Sequence, residues 1–273
     1  RTNRSHCVGV IVPDITNEFF AKIVHELDIF FLKHQYSLLI CDSNEDYKLE
    51  NMHIRNLLQK NVDGIIYISG QDEIKNIGNV KNVPVVYIDR CPQNAHVLIH
   101  SDNKEGGYLA TRELLQKGCR RILLLRDLRY ASTIRNRKAG YLQALEEFGV
   151  PYDETLEISA FPEYEDAKKV LERLLKLSGC FFDGIFATND MMALACVHVL
   201  LRAGYRIPED VKIVGFDNIS LSEFGNPPLT TITQNTKEMA LCAGEALLNM
   251  ILHGEVKKER TVLPVSLEVR KST

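Results

Sequence analysis

Several apolar runs in this chain stop abruptly on carboxylates, amides or arginines. Asp14, Thr16 and Asn17 follow the first run, Ser43 and Asn44 the second, Ser69 the third and Asp89-Arg90 the fourth, and further on the polar stretch from Asp127 to Arg137, Phe161, Asn189-Asp190 and Asp217-Asn218 recur in the same way. Such residues can accept and donate several hydrogen bonds at once, with Arg137 supplying a planar fork of donors. Phe19, Phe20 and Phe161 could stack on the apolar face of a sugar ring. That chemistry suits a grip on a small hydroxylated molecule. It does not suit catalysis. Asp14, Asp89 and Asp217 could be pictured as an acid and base, but no nucleophile accompanies them. There is no GxSxG, phosphate loop or GxGxxG, and Gly106-Gly107 lacks the spacing that cradles a pyrophosphate. His96 and His100, four apart on an extended stretch, do not converge on a metal. No enzyme activity, metal or cofactor is expected.

The elements that must carry these residues alternate regularly. The region Gly184 to Asn218 reads as one β-α-β unit. Its first strand, Asp183 to Thr188, is apolar on both faces as a central parallel strand must be, and Asp190 is placed to N-cap the helix that runs to Gly204. The second strand, Val211 to Phe216, delivers Asp217 and Asn218 at its carboxyl end, where open α/β sheets bind ligands. Before it, the same alternation appears as strands Cys7–Pro13, Ser37–Asp42, Val62–Ser69 and Val83–Asp89, separated by helical patterns at about 17–35 and 47–61. His96 to Asp102 reads as a connection. The pattern then restarts with helices at 104–117, 133–148 and 164–177 and strands at 121–126 and 155–161. A last helix, Lys237 to His253, and short strands at 261–263 and 266–269 return to one lobe or the other.

The expected fold is therefore α/β: two Rossmann-like lobes with parallel sheets and a ligand cleft between them. The 273 residues accommodate two cores of roughly 100 to 150 residues each. We assign 1–5 to a residual hinge segment, 6–101 with 236–253 to the first lobe and 102–235 with 254–273 to the second. Net charge is −3 with 45% hydrophobic residues, which does not describe a basic nucleic-acid surface. The seven cysteines show no CxxC pair and read as buried, reduced thiols of a cytoplasmic protein. Neither a signal peptide nor an 18-residue apolar run is present.

The order of motifs along the chain is more specific than any one of them. VGVIVPDITNEFF (8–20), IDR (88–90), DNKEGG (102–107), RKAGY (137–141), TND (188–190), IPEDVKIVGFDN (207–218), LTTITQ (229–234) and LPVSLEVRKST (263–273) resemble the lactose repressor (LacI/GalR) family of bacterial transcription regulators. The resemblance is to the effector-binding core, whose fold is like that of type I periplasmic binding proteins. It implies that a helix-turn-helix headpiece, absent from this chain, reads operator DNA as part of a homodimer. It also implies effector contacts at Arg137, at Asp217 and Asn189, which could alternatively make an inter-strand cap or a salt bridge with a neighbouring arginine, and at Asp14, Asp89 and Gln234, which could alternatively cap a helix or pin a crossover. Phe20 lies on a helix with Ile23, Val24 and Leu27 and suits a core equally well. Glu18 stands where relatives carry a proline, so the entry to the first helix differs. The implied effector is a sugar or sugar derivative, with a purine as the other class. An exported receptor feeding a transporter is the alternative function.

Overall fold

The structure, a computed structural model, describes residues 4–68, 83–90, 92, 95–129, 131–256 and 259–273. In chain order the first elements are β1 (Cys7–Val12), α1 (Glu18–Lys33), β2 (Ser37–Asp42), α2 (Tyr47–Gln59), β3 (Gly64–Tyr67), β4 (Val85–Ile88) and β5 (Leu98–Ser101). Then follow α3 (Asn103–Gln116), β6 (Ile122–Asp127), α4 (Ser132–Glu147), β7 (Glu157–Ala160), α5 (Tyr164–Ser178), β8 (Gly184–Ala187) and α6 (Asp190–Arg202). The chain ends through β9 (Lys212–Asp217), α7 (Ser220–Phe224), β10 (Thr230–Gln234), α8 (Thr236–His253), β11 (Arg260–Leu263) and β12 (Val265–Glu268). Polar side chains start the helices: Asn17, Asp46, Asp102, Asn189 and Asn235 each accept a backbone N–H of the first turn of α1, α2, α3, α6 and α8.

These elements form two compact units. The first closes with Ser101 and takes up Asn235–Pro264; the second comprises Asp102–Gln234 and Val265–Thr273. The first unit's sheet, in the order β11-β5-β4-β3-β1-β2, is parallel throughout. One face is covered by α1 and α8, which approach closely because Gly244 leaves room for the Phe30 ring; a Cβ there would lie 2.5 Å from Cδ1 of that ring. The other face packs Leu57 of α2 against Gly9, with Ile54, Ile11 and Ile65 around it. The second unit's sheet, β12-β10-β9-β8-β6-β7, is parallel except for β12, which runs antiparallel to β10.

Several boundaries differ from the sequence reading. Residues 254–264 belong to the first unit, because β11 pairs in register with β5, Val262 opposite His100. Asn235 goes there too, as the cap of α8. His96 to Asp102 is no mere connection, since Leu98–Ser101 forms β5 and is largely buried. Nor does the hinge segment stand apart where it is described: Ser5 donates to Asp63 from both its backbone N and its Oγ, and Arg4 Nη2 donates to Ile251 O. The helix-compatible sequence ahead of β4, and Ser69, lie outside the described residues.

Candidate functional site

At the carboxyl end of the second unit's sheet, glycines make room for charged groups. Where α3 and α4 cross, a Cβ on Gly107 would lie 2.0 Å from the carbonyl oxygen of Arg137, and one on Gly140 would lie 2.0 Å from that of Lys104. The two backbones therefore touch, which is why DNKEGG and RKAGY carry glycine at those positions. This contact fixes where Arg137 emerges from α4. Gly106, next to Gly107, opens the space filled by the Phe216 ring at the end of β9, and the Arg137 guanidinium carbon lies 3.6 Å from the centre of that ring. A flat cation over a flat aromatic face is favourable and holds the fork in one plane.

Within that plane, Arg137 Nε donates to Asn103 Oδ1 at 2.8 Å and Nη1 to the Thr188 carbonyl at 2.5 Å. Its third nitrogen, Nη2, faces Asp217 Oδ1 at 3.9 Å, beyond hydrogen-bond length. Asp217 in turn accepts from Gln234 Nε2 at 2.7 Å, which fixes the amide at the end of β10. Arg137 and Gln234 are only 6% and 4% exposed. Asp217 and Asn218 adopt positive φ, 110° and 52°, an uncommon backbone region for residues with a side chain and one found at functional sites. Phe161 stands at the end of β7, 48% exposed, its N–H donating to Asp166.

Beneath this rim lies Asp190, fully buried at the first turn of α6. Its carboxylate accepts from Thr231 Oγ1 at 2.6 Å and from the Ile219 N–H at 2.9 Å, in space left by Gly215. Burial, and then the charge of Asp217, push its pKa well above the usual carboxylate range, which favours the uncharged form. Asp190 does not cap α6, as the sequence suggested. Asn189 does: its Oδ1 accepts from Met192 N at 2.7 Å while Nδ2 donates to the Pro162 carbonyl at 3.0 Å.

The first unit's rim is described by itself. Asp14, half-buried after β1, accepts from the N–H and hydroxyl of Thr16, a turn that its own carboxylate closes. Asp89, buried at the end of β4, has φ 71° and donates its N–H to the Ile99 carbonyl. Its neighbour Arg90 is buried and forms a two-pronged pair with Glu45, both bonds 3.0 Å. Phe19 and Phe20 lie at the first turn of α1. They pair edge to face at 5.2 Å inside the hydrophobic core of this unit, 4% and 6% exposed. Glu18, in the proline-replacing position, forms an ion pair with Lys22 at 2.6 Å.

Of the residues singled out in the sequence, Arg137, Asp217 and Gln234 are brought together within the second unit. Asn103, the second residue of DNKEGG, and Phe216, the last residue of the expected strand 211–216, were not singled out, although both hold the Arg137 guanidinium.

A family model for a periplasmic binding protein-like domain matches residues 111–273, more than half of the chain. Among curated relatives, the HTH-type transcriptional repressor PurR of Pasteurella multocida is 31% identical over 100% of this chain and 82% of its own length. The ribose operon repressor of Halalkalibacterium halodurans is 31% identical over 98% of this chain and 80% of its own. A solved LacI-family transcriptional regulator from Enterococcus faecium with bound ribose superposes with a TM-score of 0.87 at 28% identity, covering 98% of both chains. This chain belongs to the LacI family of transcriptional regulators. The two parallel-sheet units are its periplasmic binding protein-like core, and that core is the ligand-sensing part of a LacI-family regulator. Nothing favours an exported receptor instead. Among the described residues, no helix of this LacI-family core is long and apolar enough to cross a membrane, and no group of three or more His, Cys, Asp or Glu could hold a metal. The thiols of Cys119 and Cys196 are pushed up to about 12, chiefly by burial.

Proposed function

We propose that this core binds a sugar or sugar derivative at the carboxyl-end rim of the second unit's sheet, and that binding changes the operator affinity of a homodimer. One observation carries the reading. Arg137 Nη2 and Asp217 Oδ1 face each other 3.9 Å apart on a planar, buried scaffold. A ligand hydroxyl at that place accepts from the arginine and donates to the carboxylate, so both charged groups keep partners. Gln234 holds Asp217 in place, and exposed Phe161 offers an apolar face for a sugar ring. Asp14 and Asp89 of the first unit's rim are proposed as further acceptors for hydroxyls. Asn189 is proposed as a contact only through the bonding capacity that capping leaves. Ser69 joins them on the family resemblance.

The names of the relatives support the same chemistry: a ribose operon repressor, and a LacI-family regulator solved with ribose. Operator DNA is read by a headpiece outside the described chain, and the protein works in the cytoplasm as a binding protein, not as an enzyme.

A thermal-shift panel of sugars, sugar phosphates and purines tests the proposal. A ligand that binds only the folded state raises the melting temperature, by roughly 2.7 kcal/mol of added stability at a hundredfold excess over Kd. A sugar hit weakened by substituting Arg137 is the expected result. A purine hit with no sugar hit would refute the sugar reading.

A further inference from the structure

LPVSLEVRKST supplies no residue to the rim described above, yet the segment that follows β12 is tied to the same two strands. Ser272 Oγ accepts the Thr230 N–H at 2.8 Å and donates to the Ile213 carbonyl at 2.6 Å, while the Ser272 carbonyl accepts the Ile213 N–H. Arg270 donates its own N–H to Thr230 Oγ1 at 2.9 Å. Ile213 lies in β9 and Thr230 in β10, the strands that deliver Asp217 and Gln234. The backbone of Arg270 is therefore fixed to the frame that carries the second unit's rim.

From that frame the Arg270 side chain reaches the turn between β9 and α7. Its Nη2 donates to Asn218 Oδ1 at 2.7 Å, and its Nη1 donates to the Leu229 carbonyl at 2.8 Å and to Ser222 Oγ at 3.1 Å. All three acceptors are uncharged, and hydrogen bonds from a guanidinium are stronger than those between neutral groups. Asn218 needs such a hold. It and Asp217 both have positive φ, a conformation that persists for residues with a side chain only where the surroundings over-determine it. The other end of the Asn218 amide donates to Thr233 Oγ1 at 2.9 Å, and Thr233 is the register partner of Asp217 in β10. The amide of Asn218 is thus bonded at both ends within the turn, while Asp217 is the residue presented to Arg137 and Gln234.

A ligand hydroxyl that bridges Arg137 Nη2 and Asp217 Oδ1 needs both atoms held to within about 0.5 Å of the productive geometry. A turn released from positive φ carries Asp217 away from both partners. We propose that Arg270 is a positioning residue for the effector: by holding Asn218 in its left-handed conformation it sets the place of Asp217 opposite Arg137. The inference rests on the proposed sugar-binding function and adds a residue to the same site.

Two readouts test it in the whole chain. The first needs no ligand: the side-chain amide signal of Gln234, read by nuclear magnetic resonance, reports its bond to Asp217. The second is calorimetric titration with D-ribose, or with another sugar of the panel that gives a larger thermal shift in the wild type. Arg270→Met is expected to move the Gln234 signal and to weaken sugar binding by about fivefold or more. Arg270→Lys keeps one donor within reach of Asn218 and is expected to fall between, and it serves alone should Arg270→Met fail to fold. The control is Leu200→Ala, a core truncation about three turns along α6 from the rim, which destabilises the same unit. It is expected to leave both readouts as in the wild type. A Gln234 signal that stays in place in the Arg270 variants overturns the inference, and so does a loss of affinity that Leu200→Ala reproduces. Either result leaves the sugar reading standing. If the wild type binds no sugar of the panel, the proposed function itself fails and takes this inference with it.

Discussion

Arg137 does two jobs that a substitution can separate. Arg137→Ala removes the cation facing Asp217 and the donor to Asn103 Oδ1 and the Thr188 carbonyl, so a loss of about 3 kcal/mol is expected in denaturant unfolding. Arg137→Lys keeps the charge but not the fork, and so costs less stability while still losing the geometry. A second residue, Glu157, gives a pH-dependent expectation. Burial alone would raise its pKa, but hydrogen bonds from Lys138, Tyr152 and Arg126 outweigh that and hold it at about 2 against an ordinary 4.5. A depressed carboxylate contributes stability above its unfolded value and loses it on acidification. Glu157→Gln is therefore expected to be about 1 to 2 kcal/mol less stable at pH 7, after allowance for solvent screening, with the gap closing between pH 4.5 and 2. A gap unchanged by acid would contradict the cause given. At this scale the sequence was informative where a residue type has one plausible use. Arg137 in RKAGY could be picked out, whereas Phe19 and Phe20 could not be assigned, because an aromatic at a helix start serves a core or a ligand equally well. Asn189 showed the same ambiguity between cap and contact, and the cap is what its Oδ1 makes.

The crossing of α3 and α4 is what turns separate motifs into one rim. Gly107→Ala and Gly140→Ala each drive a methyl into backbone, not into a flexible side chain, so each is expected to cost at least about 3 kcal/mol and to weaken effector binding. Thermal denaturation and titration together check this; a variant with wild-type stability would show that the helices do not meet as described. The glycines were visible as motif letters, but their reason is a contact between helices over thirty residues apart in sequence, which no local pattern encodes. The same limit explains β5 and β11. Leu98-Ile99-His100-Ser101 is short and half polar, so it reads as a connection until β11 is seen beside it. The long alternation of apolar strands and helices was legible because the central strands β1, β3, β6, β8 and β9 are almost wholly buried and α1, α2, α3, α6 and α8 each start on a side-chain cap.

For the molecule as a whole, the proposed function couples a sensing core to a DNA reader. In a protein that carries the headpiece, effector is expected to change operator affinity by a factor of about 5 to 150, and operator DNA to change effector affinity by the same factor, as linkage requires. Fluorescence anisotropy and titration on one preparation measure both; unequal factors would rule out a simple two-state coupling. Sedimentation of the present chain is expected to give twice the chain mass, and a monomer at all concentrations would oppose the proposed homodimer. The two-unit organisation was readable from the restart of the strand-helix pattern after residue 101, whereas the final segments could not be assigned until their strand partners were known. The most direct test of the central claim is calorimetric titration of the wild type and of Arg137→Lys with whichever sugar gives the largest thermal shift. One site per chain in the wild type, weakened by tenfold or more in a folded Arg137→Lys, is the expected result. Equal affinity in both proteins would mean that the Arg137–Asp217 rim is not where the effector binds.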